Sequence, residues 1–449
     1  MNNNDNDNKN QKETNIYKLT IPLFFEMLLG ILVNNVDQFM LSGYSGEAVA
    51  AVGNASQICW ILNLFLQVLA TAALILLTQY IGAGKKQETE AIYPLALLLN
   101  IGIGIVITLV CIFGMKGILG LLNVEQGVTF EYAWCYMQIV GISFLCVAVS
   151  NCFSVFLKAH SHVKEATAIA ITVNVLNVAG NAVALFLCHA GVAGVAVSTT
   201  LSRFIGTILI VLVFTIKQGK IRFGAIKQSN PVLLLRKMLW IGAPSVGENI
   251  SYDASQLVIM AFINTMGLAA VNAKIYVCLV VQFAYLFTMS LTQAMQIVEG
   301  YHIGAGERDK AERCVWKTLR IGIISSFVMT VILFLCSDWV IGVFPSADEE
   351  VLRLAKQLLG VELVLEIGRA INMTMVRGLQ VAGDVKFPVL MSVLFTWLLS
   401  VMLGYYVGIV LGYGVVGLWI AMASDEILRG LVLCFRFKKG KWKKIQLVS

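Results

Sequence analysis

Glu362 and Glu366 stand four residues apart in a mostly apolar run. On a helix that spacing puts both on one face. Two like charges in a low dielectric cannot both stay ionised cheaply, so one of the pair is expected to hold a proton. A carboxyl that gives up its proton when a cation arrives is a coupling device. Glu248 lies in a second apolar run, and Asp253 follows it by five residues, about 140° around an ideal helix. The alternative reading of Glu366 is that Arg369, three residues on, neutralises it. A second polar group lies earlier in the chain. Asp37 sits deep in the first apolar run, with Asn34 one turn before it. Asn174, Asn177 and Asn181 form a single stripe on another run. These amides and Thr199 could surround Asp37 as an ion or proton site, or serve as interhelical hydrogen-bond glue. Ionisable groups in apolar spans are costly and need a reason. Lys274 is expected to pair with Asp253 or the glutamates, or else to line a cavity and favour anionic cargo. Asn34, Asp253, Lys274 and Tyr276 are the candidate cavity residues. Tyr252, Tyr276, Phe283, Tyr285, Phe287, Met289 and Met295 suit a promiscuous cationic pocket or simple packing. Arg203 and the Asp425/Arg429 pair read as structural groups near the cytoplasmic helix ends.

The elements that must carry these residues are spanning helices. Ala, Val, Ile, Leu, Met, Phe, Trp, Tyr and Cys make up 58% of the 449 residues, and charged residues 13%, about half the usual quarter. The mean hydropathy is +0.80. A water-soluble enzyme, a nucleic-acid binder and a disordered scaffold are excluded. A transmembrane barrel is excluded as well, because its strands alternate apolar and polar residues, and here the apolar runs are continuous. Spanning takes about 20 apolar residues, and the chain holds twelve such runs. The fold class is therefore an all-α polytopic membrane protein of twelve helices. The expected organisation is a disordered tail over 1–16 without signal-peptide features, six helices over 17–216 (N-lobe), a linker over 217–235, six helices over 236–437 (C-lobe), and a basic tail over 438–449. Lys and Arg concentrate in the termini and the even loops, and the odd loops hold only Lys116, Arg353 and Lys356. Both termini are thus expected in the cytoplasm, at the plasma membrane, and the Lys-rich tail is expected to touch anionic lipid. The ten cysteines include no CxxC pair, and the histidines form no metal-ligating pair within a span. No enzyme activity, cofactor or nucleic-acid partner is expected, and a monomer is.

The chain also repeats itself. Pro22 and Glu26 recur as Pro244 and Glu248, Ile81-Gly82-Ala83-Gly84 as Ile303-Gly304-Ala305-Gly306, and Val163-Lys164 as Val385-Lys386. Six spans per half return the chain to the same side, so the two repeats are parallel, as in paired bundles that rock about a central cavity. The charges are not duplicated: the mate of Asp37 is Ile259, and that of Glu366 is Phe144.

The set of P-x3-E near each half's start, Asp37 in VDQFMLSGYSGEAVAAVG, QYIGAG, GYHIGAG, NVAGNAVALF, GVAGVAVST, RGLQVAGDVKFP and GVVGLWIAMASDEILRG resembles the multidrug and toxic compound extrusion (MATE) family over about residues 17–443. The resemblance implies a secondary antiporter that exports amphipathic, often cationic, compounds in exchange for Na+ or H+. It implies an N-lobe ion or proton site at Asp37, Asn177, Asn181 and Thr199. It also implies a C-lobe cation site at Glu248 and Glu366, which could take Na+. Some relatives carry Asp where this chain has Asn181, and Tyr where it has Glu362. The rival reading within the same superfamily is a flippase for lipids or lipid-linked oligosaccharides, which would want a more cationic groove.

Overall fold

The computed structural model describes residues 15–121, 127–344 and 348–448, except the side chains of residues 34, 35, 37–39, 42 and 121. Every regular element among them is helical. Twelve principal helices follow one another: α1 Ile16–Ser42, α2 Gly46–Gly82, α3 Lys86–Leu109, α4 in two pieces (Val128–Ile142 and Phe144–Ala159), α5 Val163–Ala182, α6 Gly191–Gln218, α7 Pro231–Asn264, α8 Leu268–Gly304, α9 Arg308–Leu335, α10 Glu349–Val381, α11 Lys386–Phe395 and α12 Gly414–Lys438. Helices α3, α5 and α11 run on through π-helical turns. Eight of the twelve are long and apolar enough to cross a membrane, and the α4 pair, bent by 46°, makes a ninth. The remaining three, α7, α10 and α12, are 34, 33 and 25 residues long. Their apolar runs are interrupted by the charges that the sequence singles out.

Local chemistry sets the helix ends. Ser45 caps α2 by accepting the Ala48 N–H at 3.0 Å. Asp348 caps α10 by accepting from Val351 at 2.8 Å, with Glu349 and Glu350 in the favourable first turn. The repeated IGAG motif is a helix stop. Gly84 (φ 71°) and Gly306 (φ 78°) turn the chain left-handed, and the next residues, Lys85 and Glu307, donate back to Tyr80 and His302. A second pair of breaks repeats as well. The π turns Val183–Leu187 and Tyr406–Val410 lead to Gly191 (φ 57°) and Gly414 (φ 60°), which start α6 and α12.

The helices form two compact units, Phe25–Gly242 and Asn15–Phe24 with Ala243–Ser449. The first unit centres on a cluster that includes Ala48, Leu66, Cys111, Met137, Phe144 and Ala196. Glu26 accepts from Lys158 at 3.0 Å and from Thr167 at 2.8 Å, tying α1 to α4 and α5. In the second unit the first turns of α1 pack beside α8 and α9: Phe24 meets Phe287 edge-on at 6.0 Å, and Lys317 lies 5.3 Å over Tyr17. The basic tail folds back onto this unit. Trp442 is buried and stacks on Phe437 at 4.9 Å. Lys443 reaches Glu312 at 2.6 Å and Asp309 at 3.0 Å. These two carboxylates hold its ammonium above the usual lysine range. At the N-cap of α9, Glu307 accepts from Lys310 and His302, and the two bonds hold its carboxyl below the ordinary value.

Candidate functional site

The second unit holds a buried network of charge. Glu362 and Glu366 share one face of α10, with 3% and 0% of their surface exposed. Arg369 pairs with Glu366 and comes within 3.9 Å of Glu362 Oε2. Its guanidinium also lies 5.0 Å over the Tyr285 ring of α8. The indole N–H of Trp419, on α12, donates to Glu362 Oε1 at 2.9 Å. Neutralisation by Arg369 is thus realised, but one arginine faces two carboxylates. The second oxygens of Glu362 and Glu366 accept no hydrogen bond among the described residues.

Helix α12 extends the network. Arg429 contacts Glu426 at 2.8 Å and Asp425 at 3.4 Å. Asp425 Oδ2 accepts from Ser400 at 2.8 Å and from Thr396 at 3.5 Å. Asn372 of α10 donates to both the backbone carbonyl (2.7 Å) and the carboxylate of Glu426. Close approach makes this possible. A Cβ on Gly368 would stand 2.8 Å from backbone atoms of Glu426 and Ile427, so α10 and α12 touch without a side chain between them. The expectation that Asp425 and Arg429 are helix-end structural groups is corrected: they sit near the middle of α12 and join the acid cluster. Arg203 likewise lies in the middle of α6. It donates to Ser143 Oγ at 2.8 Å, where α4 breaks.

Glu248 belongs to α7. The charges that bear on it are Arg429 and Arg377, whereas those that bear on Glu366 are Arg369, Glu362 and Glu426. The two carboxylates expected to share a cation therefore have different partners. No set of three or more acidic, Cys or His groups converges with metal-holding geometry among the described residues. The expected pairing of Lys274 with Asp253 or the glutamates does not form: among the described residues Lys274 has no ion pair and Asp253 no basic partner. Tyr276 stacks flat on Phe344, 4.3 Å away at 7°, which commits one ring face to packing.

In the first unit, Asn177, Asn181 and Thr199 do meet. They are 8%, 1% and 9% exposed. Asn177 donates to Thr199 Oγ1 at 3.0 Å, and Asn181 donates to Asn177 Oδ1 at 3.4 Å. Ser198 donates to the Asn177 carbonyl at 3.2 Å, across a crossing where Gly180 leaves room for Ser198. The side chains of Asp37 and Asn34 lie outside the described residues, and their backbones are in α1. Asn177→Leu is expected to lower stability by about 1 kcal/mol, the scale of an interhelical hydrogen bond in a membrane. A melting curve in detergent checks it, with Val175→Leu on the exposed face as the control.

The sequence reading missed Trp419, Glu426 and Asn372. Glu426 is visible as the charged residue between Asp425 and Arg429 in SDEILRG, but Trp419 and Asn372 look like ordinary core residues until the helices are packed.

Comparison with known proteins follows the same division of the chain. The family model MatE matches residues 22–183 and again 244–406, starting at the two repeat prolines. The chain is 33% identical over 438 residues to "Uncharacterized transporter YisQ" of Bacillus subtilis (strain 168), covering 96% of this chain and 95% of that protein. It is 23% identical over 436 residues to "Probable multidrug resistance protein NorM" of Thermotoga maritima, covering 96% and 93%. A solved structure titled "Crystal structure of MATE in the bent conformation" superposes with a TM-score of 0.90 at 18% identity, covering 99% of both chains.

Proposed function

The chain belongs to the MatE family of multidrug and toxic-compound transporters, and from that premise we propose that it is a secondary antiporter. It exports amphipathic cationic compounds in exchange for Na+ or H+ by alternating access. It resides in the cell membrane with both termini in the cytoplasm, the orientation that its Lys and Arg distribution favours. The observation that carries this reading is the excess of buried acid in the second unit. Among the described residues, Glu362, Glu366, Asp425 and Glu426 pair with Arg369 and Arg429 alone. The oxygens of Glu362 and Glu366 that accept no hydrogen bond among the described residues are acceptors in a buried site, suited to a proton or a small hard cation. A cluster short of positive charge gains most when one arrives, and a competing cation then displaces it. Exchange of one monovalent ion for one monovalent cation moves no net charge. It draws on the concentration gradient alone and not on the roughly 2.3 kcal/mol that each charge gains per 100 mV.

The test is efflux of a fluorescent cation from proteoliposomes under separately imposed Na+ and pH gradients. One gradient is expected to drive efflux, and Glu366→Gln is expected to abolish it. If the loss follows Asp37→Asn instead, the first unit carries the coupling. If neither gradient moves the cation, the cationic-export reading is wrong. A flippase or anion exporter is the second reading, favoured by Lys274 and Arg203, which have no carboxylate partner among the described residues. It predicts that Lys274→Ala abolishes transport and Glu366→Gln spares it.

A further inference from the structure

Glu299 lies five residues from the end of α8, outside the acid cluster. It is fully buried, and neither carboxyl oxygen has a hydrogen-bond partner among the described residues. The core cluster of this region includes Met295, Val315, Met375 and Leu379, and Val315 and Glu299 both stand beside Gly378. A Cβ on Gly378 of α10 would stand 3.6 Å from Glu299 Oε2, so the neighbouring helix closes over the carboxyl. Three basic groups on the helices around it are turned to other partners. Arg377 donates to Gln296 at 3.3 Å, His302 contacts Glu307 at 2.9 Å, and Lys317 lies over Tyr17. Among the described residues the Cys314 thiol of α9 is a further titratable neighbour. An isolated carboxylate cannot persist in such a place, whereas a carboxylic acid can.

The repeat supplies an internal control. The first-unit mates of Gln296 and Glu299 are Leu74 and Leu77, both buried, and the mate of Arg377 is Val155. At these three positions the first unit is apolar and the second polar. The polar groups also connect. Arg377 acts on Glu248 and donates to Gln296, which lies one turn from Glu299. Gln380, one turn beyond Arg377, donates to Ser245 at 3.3 Å, one turn before Glu248.

We propose that Glu299 is a proton-binding site of the second unit, separate from Glu362 and Glu366. The packed arrangement of α8, α9 and α10 accepts only its acid form. When these helices part and water enters at the end of α8, the O–H bond breaks. The proton passes to water, and the electron pair stays on the carboxylate. Re-packing requires the proton back. The consequence for transport rests on the antiport reading above; the protonation itself does not.

Two measurements on the full chain test this. Dicyclohexylcarbodiimide attacks protonated carboxyls in apolar surroundings. Peptide mass mapping of the wild-type protein in proteoliposomes is expected to find the label on Glu299 at acidic pH, and several-fold less at alkaline pH. No label at any pH, or a label indifferent to pH, overturns the proposal without involving transport. Glu299→Gln, which keeps the shape and removes the proton, is expected to flatten the dependence of efflux on cytoplasmic pH. A Gln variant with the wild-type pH profile would also overturn it. If wild-type efflux fails under every gradient, the antiport reading falls, and the labelling alone decides the proton site.

Discussion

Arg369→Ala is expected to lower stability by about 3–5 kcal/mol, the cost of removing one partner from a buried ion pair. The arginine is the cation shared by Glu366 and Glu362, and both carboxylates are nearly inaccessible to water. Without it they face each other and Glu426 across a dry space. The melting temperature of the purified protein in detergent reads the loss. The double variant Arg369→Leu with Glu366→Leu is expected to recover most of it, because a buried pair replaced by apolar side chains of similar volume is often neutral. Glu362 keeps its bond from Trp419 in that variant. Transport is expected to stay abolished in both, since the coupling acid is gone or stranded. A double variant as unstable as the single one would mean that Arg369 supports the fold through packing on Tyr285 and not through charge.

Gly368→Val is the second large effect. The nearest atoms to its Cβ are backbone, at 2.8 Å, and backbone cannot rotate away as a side chain can. Helices α10 and α12 must separate, at about 1–3 kcal/mol for the overpacking alone. Separation also breaks the bonds from Asn372 to Glu426, each lost buried bond adding about 1 kcal/mol. Gly430→Ala is the control. Its Cβ would meet the Ile371 side chain at 3.0 Å, a side-chain and not a backbone contact. A milder fall in melting temperature for Gly430→Ala than for Gly368→Val is the expected order; the reverse order would show that the contact at Gly368 is not what holds the two helices together.

The helical membrane class, the two repeats and the acids within spans are legible in the sequence because each depends on local pattern. The bilayer sets the length of an apolar run, and a left-handed turn calls for the glycines of IGAG. The stripe of Asn177 and Asn181 is likewise a property of one helix. What the tertiary structure decided is which charges meet. Glu426, with Arg429 bound to it, comes to the Glu366 face because Gly368 lets α12 come against α10. Lys274 and Asp253, both visible in the sequence, do not pair, and Glu299 shows its isolation only once α9 and α10 close around it. Such meetings depend on the rotation and axial shift of whole helices against one another. Those are fixed by the fit of side chains far apart in the chain, to which hydropathy and spacing along one helix are blind.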